Sequence, residues 1–172
     1  GMFLDIRLIT ALAIVPFAQM LDTGTFYFTA AYVFYSPEPT LSILQMSLLI
    51  GACLWAANRW GGHISRQAGI LMIFAFVVAN LCFLVGSSWG DVVGQIWWRP
   101  RLSISQHVYA VIWAVLLASL IVWAALSNRR GLFNAGMTFA GIHGYTQMLE
   151  SFSDEPLAYV IGGLAAIPLA FG

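Results

Sequence analysis

The sequence predicts an all-α, polytopic helical membrane protein with about six transmembrane helices and a short broken or re-entrant segment near the N-terminus. Hydrophobic residues make up 60% of the 172 positions and charged residues only 8%, whereas a soluble domain carries about 25% charge. The charges lie mostly in gaps between apolar runs. A membrane β-barrel would need alternating strands, and stretches such as 70–78 are apolar at every position.

The apolar runs give the order of the candidate membrane spans, since a helix needs about 20 apolar residues to cross a bilayer. Three runs are long enough: 41–60, 67–88 and 108–127. Four are shorter or interrupted: 6–21, 26–35, 132–149 and 157–171. We therefore expect a single transmembrane helical domain over residues 1–172. Its last run ends without a flanking charge, which predicts that it is part of a longer chain.

Asp22 interrupts the first apolar stretch. One helix over 6–35 would place this carboxylate near the bilayer centre, at a cost of about 2.5–3.5 kcal/mol. Because Asp, Thr and Gly favour caps and turns, the tetrapeptide 22–25 (DTGT) predicts a break after a first span that Pro16 bends. Residues 26–35 then span, re-enter or lie on the membrane, and the pattern leaves this choice open.

Arginines and acids alternate between successive gaps, which predicts the orientation of the chain. Cytoplasmic loops are enriched in Arg and Lys. We therefore expect a multi-pass protein of the cell inner membrane with these arginines on the cytoplasmic side: Arg7, Arg59, Arg66, Arg129 and Arg130. The acids Glu38, Asp91, Glu150, Asp154 and Glu155 occupy the opposite gaps.

Small residues recur at a spacing of four in the last two runs. Helices in lipid approach closely through such residues. The fifth run has Gly136, Ala140 and Gly144, and the sixth has Ala158, Gly162 and Ala166. A short acidic turn separates the runs, so the two rows predict a tightly packed antiparallel helix pair.

A few polar residues fall within or beside the spans. His143, Gln147 and Glu150 share one helix face. This stripe is either a proton relay or ligand site, or it has only structural roles. In the second case Glu150 lies at the membrane boundary and His143 forms a hydrogen bond with a neighbouring helix. Polar groups within the membrane are candidate functional sites. Asn80 either forms an interhelical hydrogen bond or contacts a solute. Asp22 either belongs to a substrate gate or lies in a turn at the membrane interface.

The outer loop 89–106 is the densest polar and aromatic cluster. Trp97, Trp98, Arg99 and Arg101 suit a lipid headgroup or another anionic ligand. Alternatively, Asp91 neutralises one arginine and the loop is a structural clasp.

No residue pattern predicts a catalytic site, a metal site or a cofactor. His63, His107 and His143 lack the paired i, i+4 spacing of a helical metal motif. Cys53 and Cys82 lie inside predicted spans, where thiols act as small hydrophobic groups.

Three segments resemble bacterial multi-spanning inner-membrane proteins of unknown function: 34–48 (FYSPEPTLSILQMSL), 80–91 (NLCFLVGSSWGD) and 130–172, which contains RGLFNAGMTFAGIHGYTQMLES and GGLAAIPLAFG. The resemblance implies an inner-membrane helical protein, often longer than this chain. It carries no established activity or catalytic residues.

The sequence favours a non-enzymatic integral membrane protein, either a scaffold or an accessory subunit of a larger membrane assembly. Its partners would be the lipid bilayer and other membrane subunits, and not nucleic acid. A small-solute or proton-coupled transporter using Asp22, Asn80, His143 and Glu150 is the alternative. A haem- or quinone-binding redox subunit is the third hypothesis.

Overall fold

The computed structural model describes residues 7–28, 31–93, 102–128, 130–151 and 160. The chain divides into two compact units, Gly1–Gln106 and His107–Gly172. Most described residues are helical, as the sequence predicts. The helices and strands of the two units are given below in chain order.

The first apolar stretch forms two short helices, α1 (Arg7–Leu12) and α2 (Ile14–Ala18), followed by a 3₁₀ turn (Gln19–Leu21). Pro16 has no backbone N–H, so the carbonyl of Leu12 loses the partner that would continue the helix. Asp22 ends the turn in the left-handed conformation, with φ of 53°. The predicted break at this residue is therefore present.

A β-hairpin follows the break, where the sequence analysis considered a short apolar helix. Strand β1 (Gly24–Phe28) pairs antiparallel with β2 (Ala31–Tyr35), and Gly24 lies opposite Tyr35. The segment is rich in aromatic, Thr and Val residues, which favour strands. A hairpin also pairs backbone groups within the segment. Whether this segment spans, re-enters or lies on the membrane stays a prediction.

The long helices α3 (Pro39–Arg59) and α4 (Gly62–Trp89) pack against each other along the first unit. Pro39 begins α3, where its fixed φ suits the first helical turn. Their contact with α2 forms a buried core: Ile14, Ala18, Met46, Ala75 and Ala79. The alanines of α4 allow the helices to approach closely.

Gly90 turns the chain at the end of α4 into a second hairpin, β3 (Asp91–Val93) with β4 (Leu102–Ile104). Its φ is 71°, and a Cβ atom here would lie 2.7 Å from the carbonyl oxygen of Ile104. Only glycine fits this position without strain. The hairpin fixes the two ends of the loop that the sequence places on the outer side.

Helices α5 (Gln106–Leu126) and α6 (Arg130–Ser151) account for the described part of the second unit. Asn128 turns the chain between them with φ of 53°, and its N–H donates to the carbonyl of Ala125 at 3.2 Å. Gly136 of α6 lies against Ile121 of α5, since a Cβ atom there would be 2.9 Å from Cγ1 of Ile121.

Three described helices, α3, α4 and α5, are long and apolar enough to cross a membrane. They correspond to the three full-length runs, and the prediction of a helical membrane protein is confirmed to that extent. The first stretch, Arg7–Leu21, is a shorter apolar helix. Run 157–171 lies outside the described residues, so the count of six spans stays a prediction.

Gly90→Ala is expected to lower the free energy of unfolding by about 1–3 kcal/mol, because the added methyl meets the Ile104 carbonyl and the backbone is left-handed. Thermal unfolding in detergent measures the loss. Gly61→Ala is the matched control, since a Cβ atom there meets nothing within 4 Å. Equal melting temperatures for the two variants would contradict the close approach at Gly90.

Candidate functional site

The predicted stripe on α6 divides into two parts. The His143 ring packs edge-on against Trp113 of α5, with ring centroids 4.7 Å apart. Its Nδ1 atom is buried and has no hydrogen-bond partner among the described residues. Farther along the helix, Gln147 Nε2 donates to Glu150 Oε2 at 3.1 Å in an exposed position. Along this stripe, His143 therefore makes an aromatic contact with α5, while Gln147 and Glu150 form a hydrogen-bonded pair at the surface.

Asn80 and Asp22 occupy different environments in the first unit. Asn80 is buried in α4, and its Nδ2 donates to the carbonyl of Phe76 in the same helix at 2.8 Å. This bond satisfies one amide proton within the helix. Asp22 is exposed at the left-handed turn, and the following residue, Thr23, is buried.

Thr23 belongs to a buried hydroxyl cluster with Ser36 and Ser42. Thr23 Oγ1 lies 2.6 Å from Ser42 Oγ and 3.1 Å from Ser36 Oγ. Ser36 Oγ donates to Ser42 Oγ at 3.1 Å. The buried thiol of Cys82 lies beside Ser36 and Ser42. The three hydroxyl oxygens lie within hydrogen-bond distance of one another, which satisfies groups that would be costly to bury alone.

The hydroxyl cluster joins three segments, and the Cys82 thiol beside it adds a fourth. Thr23 precedes β1, Ser36 follows β2, Ser42 lies in the first turn of α3, and Cys82 lies in α4. Sequence reasoning missed this cluster because it assigned the Thr and Ser residues to two separate turns. One feature of the sequence is consistent with the cluster: small hydroxyl residues flank the apolar segment that forms the hairpin, at both of its ends.

Asp91 binds the start of α3. Its Oδ2 atom accepts a hydrogen bond from the Thr40 backbone N–H at 3.0 Å and another from the Thr40 hydroxyl. The first N–H groups of a helix have no partner within the helix, and a carboxylate there is stabilising. Asp91 therefore clasps the start of α3. Arg99 and Arg101 lie outside the described residues, so the neutralisation of an arginine by Asp91 stays a prediction.

The other predicted sites are only partly described. Trp97, Trp98, Arg99 and Arg101 lie outside the described residues, as do Ala158, Gly162 and Ala166. Within the described row of small residues, Gly136 is buried against α5 and Ala140 is half-buried. Gly144 is exposed, and a Cβ atom there would meet nothing within 4 Å.

The polar side chains described above mainly form contacts that hold the fold together. No set of three or more His, Cys, Asp or Glu side chains that could hold a metal ion occurs in the part of the chain that the structure describes. Cys53 and Cys82 are buried and not joined in a disulfide. The hydroxyl cluster and Asp91 instead connect the ends of helices and strands.

The described part of the chain is thus mainly helical, with three helices long and apolar enough to cross a membrane, which suggests a helical membrane protein. Comparisons with protein-family models, curated proteins and solved structures found no match.

Ser42→Ala is expected to destabilise the fold by about 1–3 kcal/mol, because Thr23 and Ser36 lose a buried hydrogen-bond partner. Ser47→Ala on the same helix is the control, since Ser47 is exposed. Unfolding of both variants in mixed detergent micelles, followed by circular dichroism, measures the difference. Wild-type stability of Ser42→Ala would refute a stabilising hydroxyl cluster.

Proposed function

We propose that this chain is a non-enzymatic accessory subunit or scaffold of a larger membrane assembly. The observation that carries the proposal is the closed arrangement of polar groups in the first unit. Within the hydroxyl cluster, Thr23, Ser36 and Ser42 form hydrogen bonds with one another. Asp91 accepts a hydrogen bond from the backbone N–H of Thr40. Such bonds hold the ends of helices and strands in place, which is a structural use of these polar groups.

The described surface supports the same proposal. Large apolar side chains are exposed along the helices, among them Leu48, Trp55, Val111 and Leu126. Apolar surface of this kind suits lipid, and it also suits the apolar face of another membrane helix. Accessory subunits need such faces and no active site.

The proposal includes the location and orientation expected from the sequence. We place the protein in the bacterial inner membrane, in agreement with its resemblance to multi-spanning proteins of that membrane. The arginine-containing turns lie on the cytoplasmic side under the positive-inside rule: Arg7, Arg59, Arg66, Arg129 and Arg130.

Affinity purification of the tagged full chain from native membranes, after mild crosslinking, is expected to recover one membrane protein in a near-constant ratio to the bait. Quantitative mass spectrometry measures this ratio. An unrelated multi-spanning protein with the same tag is the control bait. Recovery of the chain alone, with nothing enriched over the control, would count against the accessory role.

His143 supports a proton-coupled transporter as a second candidate. Its buried Nδ1 lacks a hydrogen-bond partner among the described residues, and Glu150 lies on the same helix face. Unsatisfied polar groups at membrane depth are costly and often functional. The sequence adds Asp22 and Asn80 to this candidate pathway.

If the chain transports protons, Glu150→Gln should abolish proton flux into proteoliposomes under an imposed membrane potential, because the amide cannot release a proton. A pH-sensitive dye trapped in the vesicles reports the flux. Glu38→Gln is the control carboxylate, at the start of α3. Absence of flux in the wild-type protein would exclude the proton-coupled transporter, and equal flux in Glu150→Gln would exclude Glu150 as the relay.

A further inference from the structure

A cavity lies at the turn between α5 and α6. Its volume is about 220 Å³, and its lining residues are Ala124, Ala125, Asn128, Arg130 and Phe133. All five belong to the second unit. The cavity begins at the last turn of α5, which is long and apolar enough to cross a membrane. If α5 crosses the membrane, the cavity lies where the hydrocarbon core gives way to the lipid headgroups.

The cavity wall has an apolar part and a polar part. Phe133 and the two alanines form the apolar part, while Arg130 and Asn128 supply hydrogen-bond donors. Arg130 is exposed at the first position of α6 and lines the cavity. A guanidinium binds phosphate oxygens through two parallel hydrogen bonds.

We propose that this cavity binds the phosphate group of an anionic phospholipid. Arg130 and Asn128 hold the phosphate, and Phe133 contacts the carbons next to the headgroup. Basic pockets between membrane helices are known sites for such headgroups, and the first N–H groups of α6 add positive potential beside Arg130. A free phosphate ion would use the same guanidinium but leave the apolar wall without a ligand.

Phosphatidylglycerol binding to the purified full-length chain in phosphatidylcholine nanodiscs tests the proposal. Native mass spectrometry counts the bound lipids over a titration. Arg130→Gln should weaken phosphatidylglycerol binding about tenfold, because the amide replaces a guanidinium that binds the phosphate through two charge-assisted hydrogen bonds. Ala125→Leu should weaken it as well, because the larger side chain fills the cavity without changing charge.

Arg59→Gln is the matched control. Arg59 is an exposed arginine in the last turn of α3, so its loss changes net charge equally without touching the cavity. Unchanged binding in Arg59→Gln beside weakened binding in the two cavity variants supports the site. Wild-type affinity of Arg130→Gln, or an equal loss in Arg59→Gln, overturns it.

A second arm separates the two sources of phosphate. Inorganic phosphate is titrated against the protein in a nonionic detergent without lipid. Binding of phosphatidylglycerol over phosphatidylcholine, with little competition from millimolar phosphate, supports a lipid site. Binding of inorganic phosphate with no preference between the lipids overturns the lipid assignment.

Discussion

The start of α3 depends on a carboxylate supplied from 51 residues further along the chain. Glu38 stands at the N-cap position of α3 but makes no side-chain capping bond. Pro39 has no N–H to satisfy, so Thr40 presents the first exposed donor, and Asp91 accepts it. Because Asp91 follows α4 directly, this bond fixes the beginning of α3 against the end of α4. Gly90 makes the bond possible, since its left-handed turn starts β3 beside α3.

The hydroxyl cluster extends this constraint to the N-terminal segment. Ser42 lies one turn after Pro39 and contacts Thr23 and Ser36 on either side of the first hairpin. A buried hydroxyl without a partner costs about 1–3 kcal/mol, so each member of the cluster requires the others in place. The break at Asp22, the hairpin and the two long helices are thus held at one end by mutually satisfied polar groups.

The parts that the sequence predicts well are those determined locally. A run of about 20 apolar residues is helical because lipid offers its backbone no other partner, and α3, α4 and α5 follow their runs to within a few residues. The partners of polar groups are not local. Asp91 binds Thr40, which lies 51 residues earlier in the chain, and the spacing of Thr23, Ser36 and Ser42 alone does not indicate that they meet. The strands of the first hairpin were missed because an apolar, aromatic segment fits a helix and a strand equally well by composition.

Helix α6 has the most polar residues of the long helices. Two of its hydroxyl groups form hydrogen bonds within the helix, which lowers the free-energy cost of placing them in an apolar environment. Thr138 donates to the carbonyl of Asn134 and Thr146 to that of Ile142, both at 2.9 Å. These bonds satisfy the hydroxyl protons without a neighbouring helix. Arg130 and Glu150 stand near opposite ends of α6, separated by about 30 Å at 1.5 Å per residue, which matches the hydrocarbon thickness of a bilayer. The described helices that are long and apolar enough to cross a membrane are α3, α4 and α5, so the span expected over 132–149 stays a prediction for α6, whose length suits a bilayer but whose polar residues lower its hydropathy.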